Sequence, residues 1–202
     1  MKHSKRLSAP RNRQRRGALL TLIGTALLGI LPGRAWAHAL VGAVRPPLPL
    51  PAIKVVRQDG ASVALPTLLQ GKATALQFMF TGCSQTCALQ GALFAAVQQK
   101  LPADLRGRTQ LLSLSIDSLG DDPRALASWL RQFGAGPDWI AAVPAAADLD
   151  RLRAALQQSK DGRDNHTSQV FLFNRDGLLV WATEDLPPVA VVLRQLVNIA
   201  RP

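Results

Sequence analysis

The chain has 202 residues, 48% of them hydrophobic, with two cysteines, three histidines, no tyrosine and a formal net charge of +11. That length bounds it to one domain or two small ones, and two cysteines exclude a fold stapled by many disulfides. The charge sits at one end: residues 1–37 hold eight basic residues and no acidic one, while the rest hold 16 basic and 13 acidic, a net of +3, which leaves no electrostatic basis for a nucleic-acid partner.

The basic end runs to Arg15-Arg16 and gives way to an uncharged apolar stretch, Gly17 to Leu31. Pro32-Gly33 then breaks a helix, and Ala35-Trp36-Ala37 offers small residues at the two positions that signal peptidase inspects. Fifteen residues of helix cover roughly 22 Å, short of a hydrocarbon core of about 30 Å. Residues 1–37 are therefore expected to be a signal peptide, with an uncleaved membrane anchor as the alternative. Either way the basic end stays inside and the folded part lies outside the cytoplasm. Cleavage after Ala37 would make His38 the first residue, whose amine and imidazole could together chelate Cu(II).

Residues 38–51 carry Pro46, Pro47, Pro49 and Pro51 and read as an extended tether. From 52 to 202 strand and helix patterns alternate. Ile53–Val56 and Ser62–Leu65 flank Asp59-Gly60, a hairpin signal. Ala73–Phe80 is an apolar run of strand length suited to the centre of a sheet. A helix is expected from about Cys83 to Lys100, with Leu89, Leu93, Ala96 and Val97 on its buried face. Leu111–Ile116 is the next buried strand, and Asp122-Pro123 caps and opens a helix to about Phe133.

Trp139–Val143 reads as a short strand, and a helix is expected from about Asp148 to Gln158. The polar loop Ser159–Ser168 contains His166. Gln169–Phe173 and Leu178–Ala182 form a hairpin around Asn174–Gly177. A last helix starts near Pro187-Pro188 and buries Val189, Val192, Leu193, Leu196 and Val197. This order predicts an α/β fold: a mixed sheet with helices on both faces and a leading β-hairpin.

The chemistry lies in Cys83-Ser84-Gln85-Thr86-Cys87, placed where a buried strand gives way to a helix. A spacing of four residues puts both sulfurs on one face of a first helical turn, near enough to close a disulfide or to share a metal ion. The helix start presents free amides that stabilise thiolate, the form both chemistries require. His166 is the sole histidine beyond residue 38, in a loop ahead of a strand that could run beside Ala73–Phe80. Two soft sulfurs and an imidazole suit copper in either oxidation state, Cu(I) or Cu(II), whereas zinc normally takes a fourth ligand. A structural disulfide, or a metal-independent thiol–disulfide oxidoreductase using Cys83 and Cys87, stands beside that reading. Asp117 is a turn residue that could also tune the site.

Leu76–Cys87, Ser115-Ile116-Asp117 followed by Asp121-Asp122-Pro123, and Asn165–Ser168 with Phe171–Gly177 together resemble, in order, the motifs of the Sco/SenC family. The resemblance spans roughly Ile53 to Pro202. It implies a thioredoxin-like fold, periplasmic or inner-membrane-anchored placement, and copper held by Cys83, Cys87 and His166. It implies a partner as well: a copper-receiving oxidase subunit or other copper or thiol client, to which copper is delivered or whose thiols are reduced at the copper site of cytochrome c oxidase. Ser84 and Ala88 stand where that family places proline, and Asn165 where it places an acidic residue.

Overall fold

The computed structural model describes residues 40–156 and 167–201. The expected leader, His38 and His166 lie outside the described residues. In chain order the elements are β1 (Gly42–Pro49), β2 (Lys54–Arg57), β3 (Ser62–Ala64), α1 (Leu65–Leu69), β4 (Ala73–Met79), α2 (Thr86–Lys100), a 3-10 turn (Ala103–Leu105) and β5 (Thr109–Ser115). There follow α3 (Pro123–Gln132), β6 (Trp139–Pro144), α4 (Ala146–Ala155), β7 (Val170–Phe173), β8 (Leu178–Ala182) and α5 (Val189–Ala200). One eight-stranded mixed sheet results, in the order β1-β8-β7-β4-β5-β6-β2-β3.

Strand β4 is buried along all seven residues, which is why its sequence shows no polar alternation. It pairs in parallel with β5 (Ala75 opposite Leu111) and antiparallel with β7 (Leu76 opposite Phe171). The pleat sends Ala75 and Met79 to one face, among Phe94 of α2, Trp129 of α3 and Leu196 of α5. Leu76 and Phe78 point the other way, among Leu65 and Leu69 of α1 and Leu149 and Leu152 of α4. Helices thus cover both faces, and each buried Leu or Phe contributes about 1.5–3 kcal/mol by leaving water.

On the first face Trp139 meets Phe94 and Trp129 edge to face, each at 5.8 Å between ring centroids. Its indole N–H donates to Ser113 Oγ at 3.0 Å, so a large side chain is buried with its polar atom paired. The expected hairpin forms as β2 and β3, with Val55 opposite Val63, and the cap forms as Asp122 accepting from Ala125 N at 2.8 Å.

Three elements differ from expectation. Most of the proline-rich stretch read as a tether is β1, an edge strand paired with β8 through Gly42–Ala182 and Leu48–Leu179. Pro46 and Pro47 fall inside the register shift between Ala43 and Leu48, where a missing N–H interrupts no ladder. The β2–β3 hairpin consequently is not the leading element. Helix α2 starts at Thr86 rather than near Cys83, and its buried face is Cys87, Gln90, Gly91, Leu93, Phe94 and Val97. Leu89, expected on that face, is 60% exposed, while Leu93 and Val97 are buried as expected. Among the described residues no helix is long and apolar enough to cross a membrane.

Candidate metal centre

Strand β4 ends at Met79, and a tight turn carries the chain to α2. Cys83 N donates to Phe80 O at 3.2 Å, so Thr81 and Gly82 are the middle residues of a turn that presents Cys83. Gln85 flanks the helix at its N-terminus but offers no side-chain cap. The vacancy is taken by sulfur: Cys87 N donates to Cys83 Sγ at 3.4 Å. One of the orphan amides of α2 is therefore satisfied by the cysteine four residues earlier.

The two thiols are unbridged and unequal. Cys83 is half-buried and Cys87 is 2% exposed. Burial alone would raise the Cys83 thiol, but hydrogen bonds from the Cys87 thiol and from the Cys87, Gln85 and Thr86 amides outweigh it, and the group lies below the ordinary thiol value. Burial, joined by the hydrogen bond to Cys83, pushes the Cys87 thiol up to about 12. The pair is thus a sulfur that readily becomes thiolate beside one that stays protonated until something displaces its proton.

Both the turn and the facing loop line one open cavity of about 590 Å3, bordered by Phe80, Cys83, Thr86, Ser168, Asp185 and Leu186. Ser168 is fixed there by Asp185, whose Oδ1 accepts from Ser168 N at 2.8 Å and Ser168 Oγ at 2.9 Å. Thr167, the residue after His166 in the chain, has its carbonyl 3.4 Å from Gln90 Nε2 on α2, one turn beyond Cys87. The sheet makes this possible: β7 lies beside β4, as the sequence predicts, and the two run antiparallel. The start of β7 therefore comes to the end of β4 that bears the cysteine turn.

Of the three proposed ligands the described residues include Cys83 and Cys87, which stand together. Among the described residues no group of three His, Cys, Asp or Glu is placed to hold a metal ion. The sulfur pair fits a soft, thiophilic cation, and Cys87 would lose its proton on binding one. Asp117 is a turn residue: its Oδ1 accepts from Gly120 N at 2.8 Å and so closes its own turn.

Sequence reasoning missed a residue close by. Asp121, 7% exposed, accepts from Thr81 N at 3.0 Å, from the Thr81 hydroxyl, and from Ser115 Oγ at 2.6 Å. It stands in the Asp121-Asp122-Pro123 stretch that carries part of the family resemblance, but nothing local in the sequence ties it to the cysteine turn.

Known proteins resemble the chain in sequence and in fold. A relative from Stutzerimonas stutzeri, named as a candidate copper-binding protein, is 27% identical over 138 residues, spanning 64% of this chain and 66% of the relative. A crystal structure of a SCO1/SenC family lipoprotein from Bacillus anthracis superposes with a TM-score of 0.66 at 22% identity, covering 79% of this chain and all of that one. Bradyrhizobium japonicum ScoI with copper bound gives a TM-score of 0.61 at 21% identity, over 75% of this chain and 99% of that one. These likenesses establish the thioredoxin-like fold. The SCO1/SenC family model matches residues 52–201, and the chain belongs to that family.

Proposed function

We propose that the chain is an exported copper-binding protein that holds Cu(I) or Cu(II) at Cys83, Cys87 and His166. Its role is to deliver copper to the copper site of a respiratory oxidase or to keep the thiols of that site reduced. The observation that carries this reading is the unbridged pair, with Cys83 Sγ against the Cys87 amide and Cys83 lining a cavity also lined by Ser168, two residues past His166. The Stutzerimonas relative's name and the copper in the Bradyrhizobium structure give the metal. Residues 1–37 supply export, as a signal peptide or as an anchor on the periplasmic face.

Each residue has a task that its surroundings explain. Cys83 enters as thiolate because three amides and a thiol already point at its sulfur. Cys87, whose proton is held until a cation arrives, gives a second thiolate only with the metal and so ties binding to proton release. His166 adds the nitrogen that Cu(II) prefers and Cu(I) can do without.

The test is copper uptake by the reduced chain from His38 onward, followed with Cu(I) against a competing chelator and with Cu(II) by thiolate-to-copper absorption. The parent should take up about one copper per chain, Cys83→Ser and Cys87→Ser should lose tight Cu(I) binding, and His166→Ala should lose Cu(II) far more than Cu(I). Full Cu(I) affinity in either serine variant refutes the dithiolate site.

A second reading has one observation of its own. A low-lying, half-buried thiol beside a fully buried one held near 12 is the asymmetry of an attacking and a resolving cysteine. A parent that takes up no copper yet exchanges disulfides with a client would favour this metal-independent oxidoreductase.

A further inference from the structure

The loop between β5 and α3 reaches across to the cysteine turn from the neighbouring strand. It is a stiff loop: Asp121 N donates to Asp117 O at 3.0 Å, Asp117 Oδ1 accepts from Gly120 N, and a Cβ on Gly120 would overlap the Asp117 carboxylate. From this base Asp121 puts both carboxylate oxygens to use. Oδ2 accepts from Thr81 N at 3.0 Å and from Ser115 Oγ at 2.6 Å, and Oδ1 accepts from the Thr81 hydroxyl. Ser115 Oγ in turn accepts from Asp117 N at 3.0 Å, which anchors the cluster to the end of β5. A carboxylate that is almost wholly out of water costs free energy unless such donors surround it.

Thr81 is the first middle residue of the Phe80–Cys83 turn, so whatever holds Thr81 sets the position of Cys83. We propose that Asp121 is a positioning residue for the cysteine pair, pinning the Phe80–Cys83 turn in the geometry of the open dithiol. The proposal rests on the reading of Cys83 and Cys87 as the working pair. All of the clamp's contacts are made while the sulfurs are unbridged. Closing a disulfide draws the two sulfurs to about 2 Å, which requires Cys83 to move relative to Cys87, and the clamp resists the movement of the turn behind it. The clamp therefore favours the dithiol, the state that accepts copper, over the disulfide.

The equilibrium can be read without metal. Cys83 and Cys87 give up two electrons and two protons as their S–S bond forms, and one glutathione disulfide takes them as its own S–S bond breaks to yield two glutathione thiols. The full reduced chain is equilibrated with mixtures of glutathione and glutathione disulfide, quenched, and the open and bridged forms are counted by mass. Asp121→Asn puts a donor where one of two acceptors stood, and the equilibrium should shift toward the disulfide by about tenfold, the worth of a charge-assisted hydrogen bond. Thr81→Val keeps the amide contact and removes the hydroxyl, and should shift it the same way by about threefold.

Ile53→Val, in the core cluster on the opposite face of the sheet, removes one buried methylene and serves as a control for lost stability alone. It should leave the equilibrium within about twofold of the parent. No shift in Thr81→Val, or an equal shift in Ile53→Val, overturns the proposal; if Asp121→Asn does not fold, Thr81→Val decides. A parent that binds no copper sinks the proposed function and leaves this equilibrium to be judged by itself.

Discussion

Alkylation of the reduced, metal-free chain with iodoacetamide at about pH 8 should modify Cys83 and spare Cys87. A thiol at the ordinary value of 9.0 is about one-tenth ionised there, and Cys83 lies below that value. Cys87, pushed up to about 12, is thiolate in only about one chain in 10⁴. The ratio of thiolate populations is therefore about 10³ or more. Intrinsic nucleophilicity runs the other way, but with a Brønsted slope of about 0.4–0.5 the greater basicity of the Cys87 thiolate offsets only part of that difference. Population wins, and Cys83 should still react about tenfold faster or more before access is considered. Access widens the gap, since Cys87 is 2% exposed. Peptide mass mapping at low reagent conversion reads the ratio directly. Comparable labelling of the two cysteines would refute the claim that burial holds the Cys87 proton. In Cys83→Ser the Cys87 thiol should remain slow, because burial is the first cause of its shift and the neighbouring sulfur the second. If Cys87 there became as fast as a free thiol, the neighbour and not burial would be in control.

Two further predictions concern the frame around the site. Asp138 accepts from Lys72 Nζ at 2.7 Å, and that hydrogen bond, opposed by burial and aided by Gly107 N, holds its carboxyl below the usual value. The stabilisation is full above the unfolded carboxylate value and disappears as pH falls through the folded one, so Asp138→Asn should cost at most about 1 kcal/mol at neutral pH and nothing measurable near pH 2, read by urea unfolding. Equal costs at both pH values would mean that packing and not charge is at stake. Gly91 lies on the buried face of α2, where a Cβ would fall 2.5 Å from the Phe133 ring. That ring is held against Trp129 at 4.8 Å between centroids, so Gly91→Ala should destabilise by about 1–3 kcal/mol although alanine is the better helix former. A stabilised variant in the same urea assay would show that Phe133 swings aside freely.

Much of the sheet is legible in the chain because its signals are local. Ala73–Met79 shows itself by an unbroken apolar run, and Asp122-Pro123 by a cap and a first-turn proline in adjacent positions. The prolines of β1 mislead for a physical reason. Four prolines within residues 38–51, three of them in β1, describe an unpaired chain, unless a partner strand tolerates a register shift where the donors are missing, and β8 does so between Ala43 and Leu48. The face of α2 is illegible for a different reason. Its composition is apolar nearly all round, with Leu89 as hydrophobic as Leu93, so the pattern alone tells neither which of them meets the sheet nor where the helix has its start. That start is set by the turn at Thr81-Gly82 rather than by any cap residue, and the sulfur of Cys83 takes the cap's place.

The cysteine site divides along the same line. Cys83 and Cys87 are visible because only three residues stand between them and a strand-to-helix junction contains them, even though the junction is a turn and not the first turn of a helix. Asp121 is visible as a motif residue, but its contact with the cysteine turn is not, because its partner Thr81 is 40 residues away. Their meeting follows from register: β4 and β5 run parallel with Met79 opposite Ser115, so the chains leaving both strands emerge side by side at one end of the sheet. Hydrophobic pattern reveals that the two strands exist but not which residues stand opposite, and in a parallel pair no hairpin turn fixes the offset. The helix α2 between them then sets the distance the loop must span. A carboxylate bracing a turn from the next strand is thus a product of tertiary register. Aspartates read from sequence alone therefore divide into those whose partners are a few residues away, such as Asp117 and Asp122, and those, like Asp121, whose purpose becomes readable only once the sheet is in place.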